Sequence, residues 1–445
     1  MPAITITPPA CQWDMKSYLD DDASYWYNVF KPMLEKLLHH SRYSQARCND
    51  VLAFFASNMV PFLGPAPTGK LAARRWRSFM TPDNTPMEPS LAWSASCPAP
   101  RTRLAIDIIP AVNDSPDATA KRSIDFAGAL RQYMDGPNTV AITNLDLEAF
   151  YAVAEQLFIP VLHNPSAHEL IDDLVSGPSM TFFGIDIEEE STKVKAYFIP
   201  ELAARSLDED VLVTMSRTFM ALVPEDPALR ATLGEFAAWR EIVSSFSTLP
   251  EEDIPLPFIL SVDCVPRLEA RYKVYFRCRC RTPEELTRIM SLDGKVELSP
   301  RHVQGVIDLW NLLRPNTRQL DSQTLLAESG LCIYYDFKQS SRFPAVKVYL
   351  PVQNWASNDL KIARAIATWL ETYGHPESAR TYVDFASDLC SHRRLVEASG
   401  FHTYVGIAPK AGGCEATTYY NLSLFRQEPS FASGSTPRLV PSPLP

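Results

Sequence analysis

The chain contains Val194-Lys195-Ala196-Tyr197-Phe198, Tyr272-Lys273-Val274-Tyr275-Phe276 and Val346-Lys347-Val348-Tyr349-Leu350, three segments built on one short pattern. The lysines of these segments are 78 and 74 residues apart. Each segment follows a second apolar run with one aspartate, 9 to 11 residues before the lysine. The aspartates are Asp186, Asp263 and Asp336. Such gaps allow a hairpin turn, so each pair of runs predicts two antiparallel strands.

The intervals between these hairpins have the periodicity of helices. Helices are predicted at 229–246, 282–291, 299–313 and 359–373, and within the first 60 residues. A further hairpin is predicted at 402–410 and 417–425, whereas 61–116 predicts loop with one short strand at 101–109. About five units of two helices and two strands result. We expect an α+β fold, a closed barrel of about ten antiparallel strands surrounded by helices, because closure removes the unpaired strand edges.

The Lys and Tyr side chains of each segment lie on one face of a strand, since they are two residues apart. Arg271 joins that face in the second segment. For any one segment taken alone, the simpler interpretation is that the Lys and Tyr side chains face the solvent. The residues between them are apolar in all three segments, however, and surrounding helices need an apolar surface to cover. We therefore predict that the Lys/Tyr face lines the interior of the barrel.

An interior with several cations and tyrosines is costly unless an anion fills it. Converging Lys and Arg donors suit a diphosphate, and tyrosine rings stabilise a carbocation and exclude water. The sequence has no Gly-rich P-loop, no G-x-G-x-x-G after a strand and no Asp-Asp-x-x-Asp magnesium motif. Neutralisation of the diphosphate by Lys and Arg would make a metal unnecessary.

Composition limits the other classes of function. The net charge of −10 disfavours a nucleic-acid partner, and no apolar stretch of about 18 residues predicts a membrane span. The N-terminus lacks a secretory pattern, and nine scattered cysteines read as reduced thiols, so a cytoplasmic location is expected. The pair Cys278 and Cys280 has no second cluster to complete a metal site. We expect one domain over 1–427 and a disordered tail at 428–445; a homodimer is left open.

At this point the sequence resembles the fungal dimethylallyltryptophan synthase family of aromatic prenyltransferases, from about Tyr25 to Phe425. The opening motif of that family resembles Arg75-Trp76-Arg77-Ser78-Phe79-Met80-Thr81, followed by Thr85-Pro86-Met87-Glu88-Pro89-Ser90. The resemblance implies a barrel of repeated ααββ units. It also implies transfer of an allylic group, dimethylallyl first, from its diphosphate to an indole-containing or other electron-rich aromatic acceptor in secondary metabolism. Glu88 is implied as the base that takes a proton from the indole nitrogen, a role that a carboxylate near an N–H or O–H can fill.

The resemblance implies three further groups of residues. The diphosphate-binding residues are Arg103, Lys195, Arg271, Lys273, Lys347 and Lys410. The tyrosines that shield the cation are Tyr197, Tyr275, Tyr349, Tyr404 and Tyr419. The acceptor pocket residues are Phe79, Met80, Ile199 and Phe258. Lys347 and Lys410 stand where relatives carry Gln and Arg, and Ile199 replaces an aromatic residue of some members.

Phe258 is the departure with most bearing on the acceptor. Tryptophan-using members carry an arginine 13 residues before the Arg-x-Lys-x-Tyr motif, and counting back from Arg271 gives Phe258. Phe258 offers no donor to a carboxylate, so free tryptophan is expected to be at least tenfold poorer than a neutral acceptor such as a tryptophan-containing cyclic dipeptide or a polycyclic phenol. The alternative is that Arg267, or a basic residue from a distant loop, reaches the carboxylate instead. Two alternatives stay open: a phenolic or polyketide acceptor with a longer prenyl donor, and a non-catalytic barrel that binds an isoprenoid.

Overall fold

The computed structural model describes residues 21–67, 77–94, 97–110, 115–135, 142–171, 174, 177–314, 331–410 and 413–425. Within these residues, ten strands form one closed antiparallel barrel. The strands are β1 (Met87–Ser94), β2 (Cys97–Asp107), β3 (Thr181–Ile187), β4 (Thr192–Phe198), β5 (Leu256–Asp263), β6 (Arg271–Arg277), β7 (Cys332–Lys338), β8 (Ala345–Leu350), β9 (His402–Lys410) and β10 (Gly413–Tyr420). Each strand pairs with its neighbours in the chain, and β1 pairs with β10, with Ser90 opposite Tyr419. The predicted fold class is confirmed.

Helices cover the outside of this barrel, in groups of two to four before the first hairpin and between successive hairpins. They are α1 (Asp21–His40), α2 (Gln45–Phe54), α3 (Pro116–Asp135), α4 (Glu148–Leu162), α5 (Ala167–Leu170), α6 (Glu201–Leu207), α7 (Val211–Ala221), α8 (Pro227–Leu233), α9 (Ala237–Phe246), α10 (Pro283–Met290), α11 (Pro300–Leu313), α12 (Val352–Trp355), α13 (Asp359–Thr372) and α14 (Pro376–Leu389). α10 begins where its sequence indicates, since the Thr282 hydroxyl accepts a hydrogen bond from the Glu285 amide at 3.2 Å. None of the described helices is long and apolar enough to cross a membrane.

The apolar core lies between the barrel and the helices. Phe198 points outward from β4, and its ring centroid lies 5.5 Å from that of Phe150 and 6.1 Å from that of Phe158, both on α4. The lysines of the repeated segments lie on the other face: Lys273 is 3% exposed and Lys347 is 2% exposed. The strand faces therefore alternate as the sequence predicts, with apolar residues towards the helices and Lys/Tyr towards the interior.

Three predicted boundaries are wrong. The region 61–116 holds two strands rather than one, because Pro86 and Pro89 conceal the alternation of β1. The predicted helix 229–246 is divided into α8 and α9 at Gly234, whose φ of +92° a helix does not allow. The last strand begins at Gly413 and ends at Tyr420, because the chain then leaves the barrel and the Asn421 amide bonds to the Phe401 carbonyl. Arg75, Trp76 and the predicted tail 428–445 lie outside the described residues.

Candidate active site

One end of the barrel carries a ring of charged side chains. Because neighbouring strands are antiparallel, the starts of the even-numbered strands and the ends of the odd-numbered strands meet at this end. We call these side chains the charged ring: Arg101, Arg103, Asp186, Lys195, Asp263, Arg271, Lys273, Asp336, Lys347, Lys410 and Glu415. The barrel thus brings together all six residues predicted to bind a diphosphate, and it adds an arginine and four carboxylates that the sequence did not predict.

The carboxylates of the charged ring pair with its cations. Lys195 bonds to Asp186, and Lys273 bonds to Asp263. Arg271 bridges two strands, with N–O distances of 2.8 Å to Asp263 and 3.0 Å to Asp336. Burial opposes ionisation of Asp263, but Lys273 and Arg271 outweigh it and lower the pKa of Asp263 to about 2. Asp263 is therefore ionised at neutral pH, and its ion pairs hold Lys273 and Arg271 in fixed orientations.

Glu415 performs the same role on the other side of the ring. Its carboxylate lies 3.0 Å from the Arg103 guanidinium, 4.0 Å from Lys410 and in contact with Arg101. Against the effect of burial, Arg103 and Lys347 are the main groups that lower the pKa of Glu415 to about 2. The charged ring contains more cations than carboxylates, so it retains positive charge for an anionic ligand.

Lys347 differs from the other lysines of the ring, because it forms no ion pair with a described residue. Its Nζ donates to the Thr417 hydroxyl at 2.9 Å and lies 5.0 Å from the centroid of the Tyr349 ring. Burial, and then the nearby Arg103, lower the pKa of Lys347 to about 7. Gly406 on the next strand makes room for it: a Cβ at that position would lie 2.5 Å from the Lys347 Cε.

A layer of tyrosines lies further along the interior, next to the charged ring. Ring centroids are 6.1 Å apart for Tyr197 and Tyr275, 5.9 Å for Tyr275 and Tyr349, and 5.6 Å for Tyr349 and Tyr419. Tyr334, which the sequence analysis missed, lies 4.9 Å from Tyr275. It precedes Asp336 by two residues, so the same strand alternation could have identified it. Burial raises the pKa of Tyr197 to about 12, and the layer therefore presents neutral aromatic rings.

A cavity of about 480 Å³ opens at the end of the barrel opposite the charged ring. Its lining includes Glu88, Phe79, Met80, Phe258, Arg277 and the five predicted tyrosines, Tyr197, Tyr275, Tyr349, Tyr404 and Tyr419. Ile199 is buried in the same apolar cluster as Met80 and Tyr275 and does not line the cavity. The charged ring does not line the cavity, so the tyrosine layer separates a charged compartment from a largely apolar one.

Glu88 is the acidic residue of the cavity lining. It lies at the start of β1, and its Oε1 accepts a hydrogen bond from the Thr403 hydroxyl at 2.9 Å. Burial raises the pKa of Glu88 to about 8, and the Thr403 hydrogen bond offsets only part of this effect. A carboxylate with such a pKa is a stronger base than an ordinary glutamate and suits proton transfer near neutral pH.

Phe258 and Arg277 lie together on adjacent strands at the cavity. Phe258 falls in an irregularity of β5, between Pro257 and Ile259, and the Arg277 guanidinium carbon lies 4.8 Å from the centroid of its ring. Phe258 itself offers no donor, but Arg277 places a guanidinium beside it on the adjacent strand. Arg277 follows Tyr275 by two residues on the same strand face, which is the signal that the sequence analysis overlooked.

Arg267 does not supply that donor. It lies in the turn between β5 and β6, which is at the charged end of the barrel rather than at the cavity. Its guanidinium bonds to the Leu222 carbonyl and forms an ion pair with Glu148 at 3.4 Å. These contacts tie the turn to the surrounding helices, so Arg267 has a structural role.

Among the described residues, no group of three or more His, Cys, Asp or Glu side chains is arranged to hold a metal ion. The eight described cysteines are all free thiols, and Cys278 and Cys280 are both buried.

Comparison with known proteins finds relatives over most of the chain. The family described as tryptophan dimethylallyltransferase matches residues 22–385. A 4-O-dimethylallyl-L-tyrosine synthase of Claviceps purpurea is 27% identical over 404 residues, which are 89% of this chain and 87% of that protein. AnaPT from Neosartorya fischeri has a similar structure, with a TM-score of 0.74 at 20% identity over 91% of this chain and 94% of AnaPT.

NotF, solved in complex with brevianamide F and DMSPP, gives a TM-score of 0.73 at 21% identity and covers 92% of this chain and 96% of NotF. The two solved structures show the same fold. With the match to the family over residues 22–385, the chain belongs to the tryptophan dimethylallyltransferase family and is an aromatic prenyltransferase that uses a prenyl diphosphate as its donor.

Proposed function

We propose that this protein transfers a dimethylallyl group, without a metal ion, from a diphosphate bound by the charged ring to an electron-rich aromatic ring held beside Glu88. The observation that carries this proposal is the division of one interior into a cationic compartment and a cavity with a partly buried carboxylate, with tyrosines between them. The cytoplasmic location and the single domain over 1–427 stay predictions from the sequence.

The first step is loss of the diphosphate. The Lys and Arg side chains of the charged ring donate charge-assisted hydrogen bonds to the diphosphate oxygens. As the allylic C–O bond breaks, its electron pair goes to the diphosphate, and the same cations neutralise the added charge in place of magnesium. Asp186, Asp263, Asp336 and Glu415 keep these cations in position, so little reorganisation accompanies the step.

The second step is attack by the acceptor ring on the allylic cation. The faces of the tyrosine rings stabilise the cation electrostatically and keep water away from it. A new bond forms from a ring carbon or heteroatom to the allylic group, and Glu88 takes the proton that the acceptor loses. The raised pKa of Glu88 brings it closer to that of a phenol, about 10, so a phenolic acceptor suits this base. An indole-containing acceptor loses its proton to Glu88 as bond formation to the allylic group makes the ring cationic.

Similarity to a 4-O-dimethylallyl-L-tyrosine synthase supports a phenolic acceptor as the second candidate. A longer prenyl donor remains an alternative to dimethylallyl diphosphate, and a non-catalytic barrel that only binds an isoprenoid is the remaining competitor. A barrel that only binds an isoprenoid does not need Glu88 as a base, whereas a transferase needs a base beside the acceptor ring.

The test is transfer of labelled prenyl groups, from dimethylallyl and geranyl diphosphate, to a panel of indoles, cyclic dipeptides, aromatic amino acids and phenols in EDTA. We expect product in EDTA at a rate within about twofold of that with magnesium. Lys195→Met should weaken binding of a dimethylallyl thiolodiphosphate about ten- to a hundredfold by removing a charged donor. Lys121→Met, at an exposed lysine of α3, is the matched control and should change nothing. Donor binding without transfer to any acceptor, or activity that only magnesium restores, would contradict the proposal.

A further inference from the structure

Arg277 is a cation of the cavity lining that the transfer mechanism above does not use. It is the last residue of β6, it is exposed, and it forms no hydrogen bond or ion pair with any described residue. Arg271, on the same face of the same strand, binds two aspartates. The contrast shows that Arg277 keeps its full set of guanidinium donors available at the cavity.

The surroundings of Arg277 are aromatic and apolar. Its guanidinium lies over Phe258, whose ring centroid is 6.3 Å from that of Phe79 and 6.4 Å from that of Tyr275. Stacking on an aromatic face fixes the plane of a guanidinium and leaves its edge open for hydrogen bonds. The strand therefore presents an oriented planar donor beside a surface that suits an aromatic ring.

Tyr404 connects Arg277 to the predicted base electrostatically. Burial is the main cause of the raised pKa of Tyr404; in addition Arg277 lowers this pKa and Glu88 raises it. Tyr404 is thus within range of both charges, and all three residues line one cavity of about 480 Å³, a size usual for small-molecule sites. The cavity consequently offers a cation and a base to one ligand.

We propose that Arg277 binds the carboxylate of an aromatic amino acid acceptor and so sets the position of its ring relative to Glu88. This inference rests on the proposed function, since it names the acceptor class for the same cavity. A carboxylate matches the fork of a guanidinium in two parallel hydrogen bonds. The diphosphate of the donor is not a competing ligand, because the tyrosine layer separates Arg277 from the charged ring. The expectation drawn from Phe258 alone is reversed: the missing donor comes from the neighbouring strand.

The experiment measures binding rather than turnover, by calorimetry on the full chain saturated with dimethylallyl thiolodiphosphate. The ligands are L-tyrosine and L-tryptophan and their methyl esters. For the wild type we expect at least one free acid to bind ten or more times as tightly as its ester. Arg277→Gln should weaken that acid about ten- to a hundredfold, the effect of losing a charged hydrogen bond, and should change the ester less than about threefold. In turnover assays Arg277→Gln should raise the KM for the free acid and leave kcat largely unchanged.

Two variants complete the design. Arg277→Lys keeps the charge without the planar fork and should recover part of the preference for the acid. Arg279→Gln is the matched control, because Arg279 is two residues further along, donates to the Glu252 carbonyl at 2.8 Å and does not line the cavity. It should bind acid and ester as the wild type does.

Three results would overturn the assignment. The wild type could bind acid and ester equally, Arg277→Gln could weaken the binding of both equally, or that variant could lose binding of the thiolodiphosphate. If the free acids bind through Arg277 but no prenyl group is transferred to any acceptor, only the proposed function is refuted. The two failures are therefore distinguishable.

Discussion

Replacing Lys347 with methionine should remove the pH dependence of donor binding above pH 7. Lys347 has an ordinary pKa of 10.5, and burial lowers it to about 7 in the free protein. That difference corresponds to roughly 5 kcal/mol against the charged form. A diphosphate beside the ammonium favours the charged form and raises the pKa again. Binding therefore takes up a proton between pH 7 and the pKa of the complex.

The size of the effect follows from the change in protonation. Lys347 is half protonated at pH 7 and about 1% protonated at pH 9 in the free protein. If the complex keeps the lysine charged throughout, the affinity for the donor falls about 50-fold over these two pH units, or about 2.3 kcal/mol. The sign is set by the lowered pKa: the affinity is highest below pH 7 and is lost as the pH rises.

Calorimetry with dimethylallyl thiolodiphosphate at pH 7, 8 and 9, in two buffers of different ionisation enthalpy, measures both the affinity and the proton uptake. We expect close to one proton taken up at pH 9 in the wild type, and none in Lys347→Met. Glu88→Gln is the control, because Glu88 also titrates near pH 8 but lies in the cavity, away from the charged ring. It should keep the wild-type pH dependence. A wild-type affinity that is constant from pH 7 to 9, or an unchanged slope in Lys347→Met, would refute this account of Lys347.

Two further predictions concern the base and the tyrosine layer. Glu88→Gln should lower turnover by roughly 10²–10⁴. The wild-type kcat/KM for the acceptor should rise with pH through about 8 as Glu88 ionises, and the variant should lack this rise. Unchanged turnover in the variant would exclude Glu88 as the base. Tyr349→Phe keeps an aromatic face and should be several times more active than Tyr349→Ala. Equal losses in these two variants, measured as single-turnover rates, would show that the hydroxyl rather than the ring is required.

The repeat and its alternation were enough to predict the barrel and the direction of the Lys/Tyr face. The sequence pattern includes both partners of the ion pairs Lys195–Asp186 and Lys273–Asp263, but it does not predict that they are in contact. Their contact depends on the register of each hairpin, which places Lys195 opposite Gly184 and Lys273 opposite Ser261, so that each lysine lies diagonally across from its aspartate. A sequence without an alignment does not specify that register.

Other residues were missed because strand ends were misplaced. Glu415 lies two residues before the predicted start of the last strand, so its place in the charged ring could not be seen. Arg277 lies one residue beyond the repeated segment that ends at Phe276. Strand ends depend on where the chain leaves the sheet, which long-range contacts decide more than local propensity does.

The pairing of β1 with β10 means that the barrel can close only after its last strand has been synthesised. The hydrogen bond between Thr403 and Glu88 joins residues 315 positions apart, and β10 carries Glu415 and Tyr419. Until β10 has left the ribosome, β1 and β9 each have an unpaired edge, and such edges invite aggregation. Pairing of β1 with β10 is also slow, because the chain loses conformational entropy on closing this long loop before the stabilising contacts form. A chain cut before Gly413 should therefore form an open, aggregation-prone sheet without transfer activity.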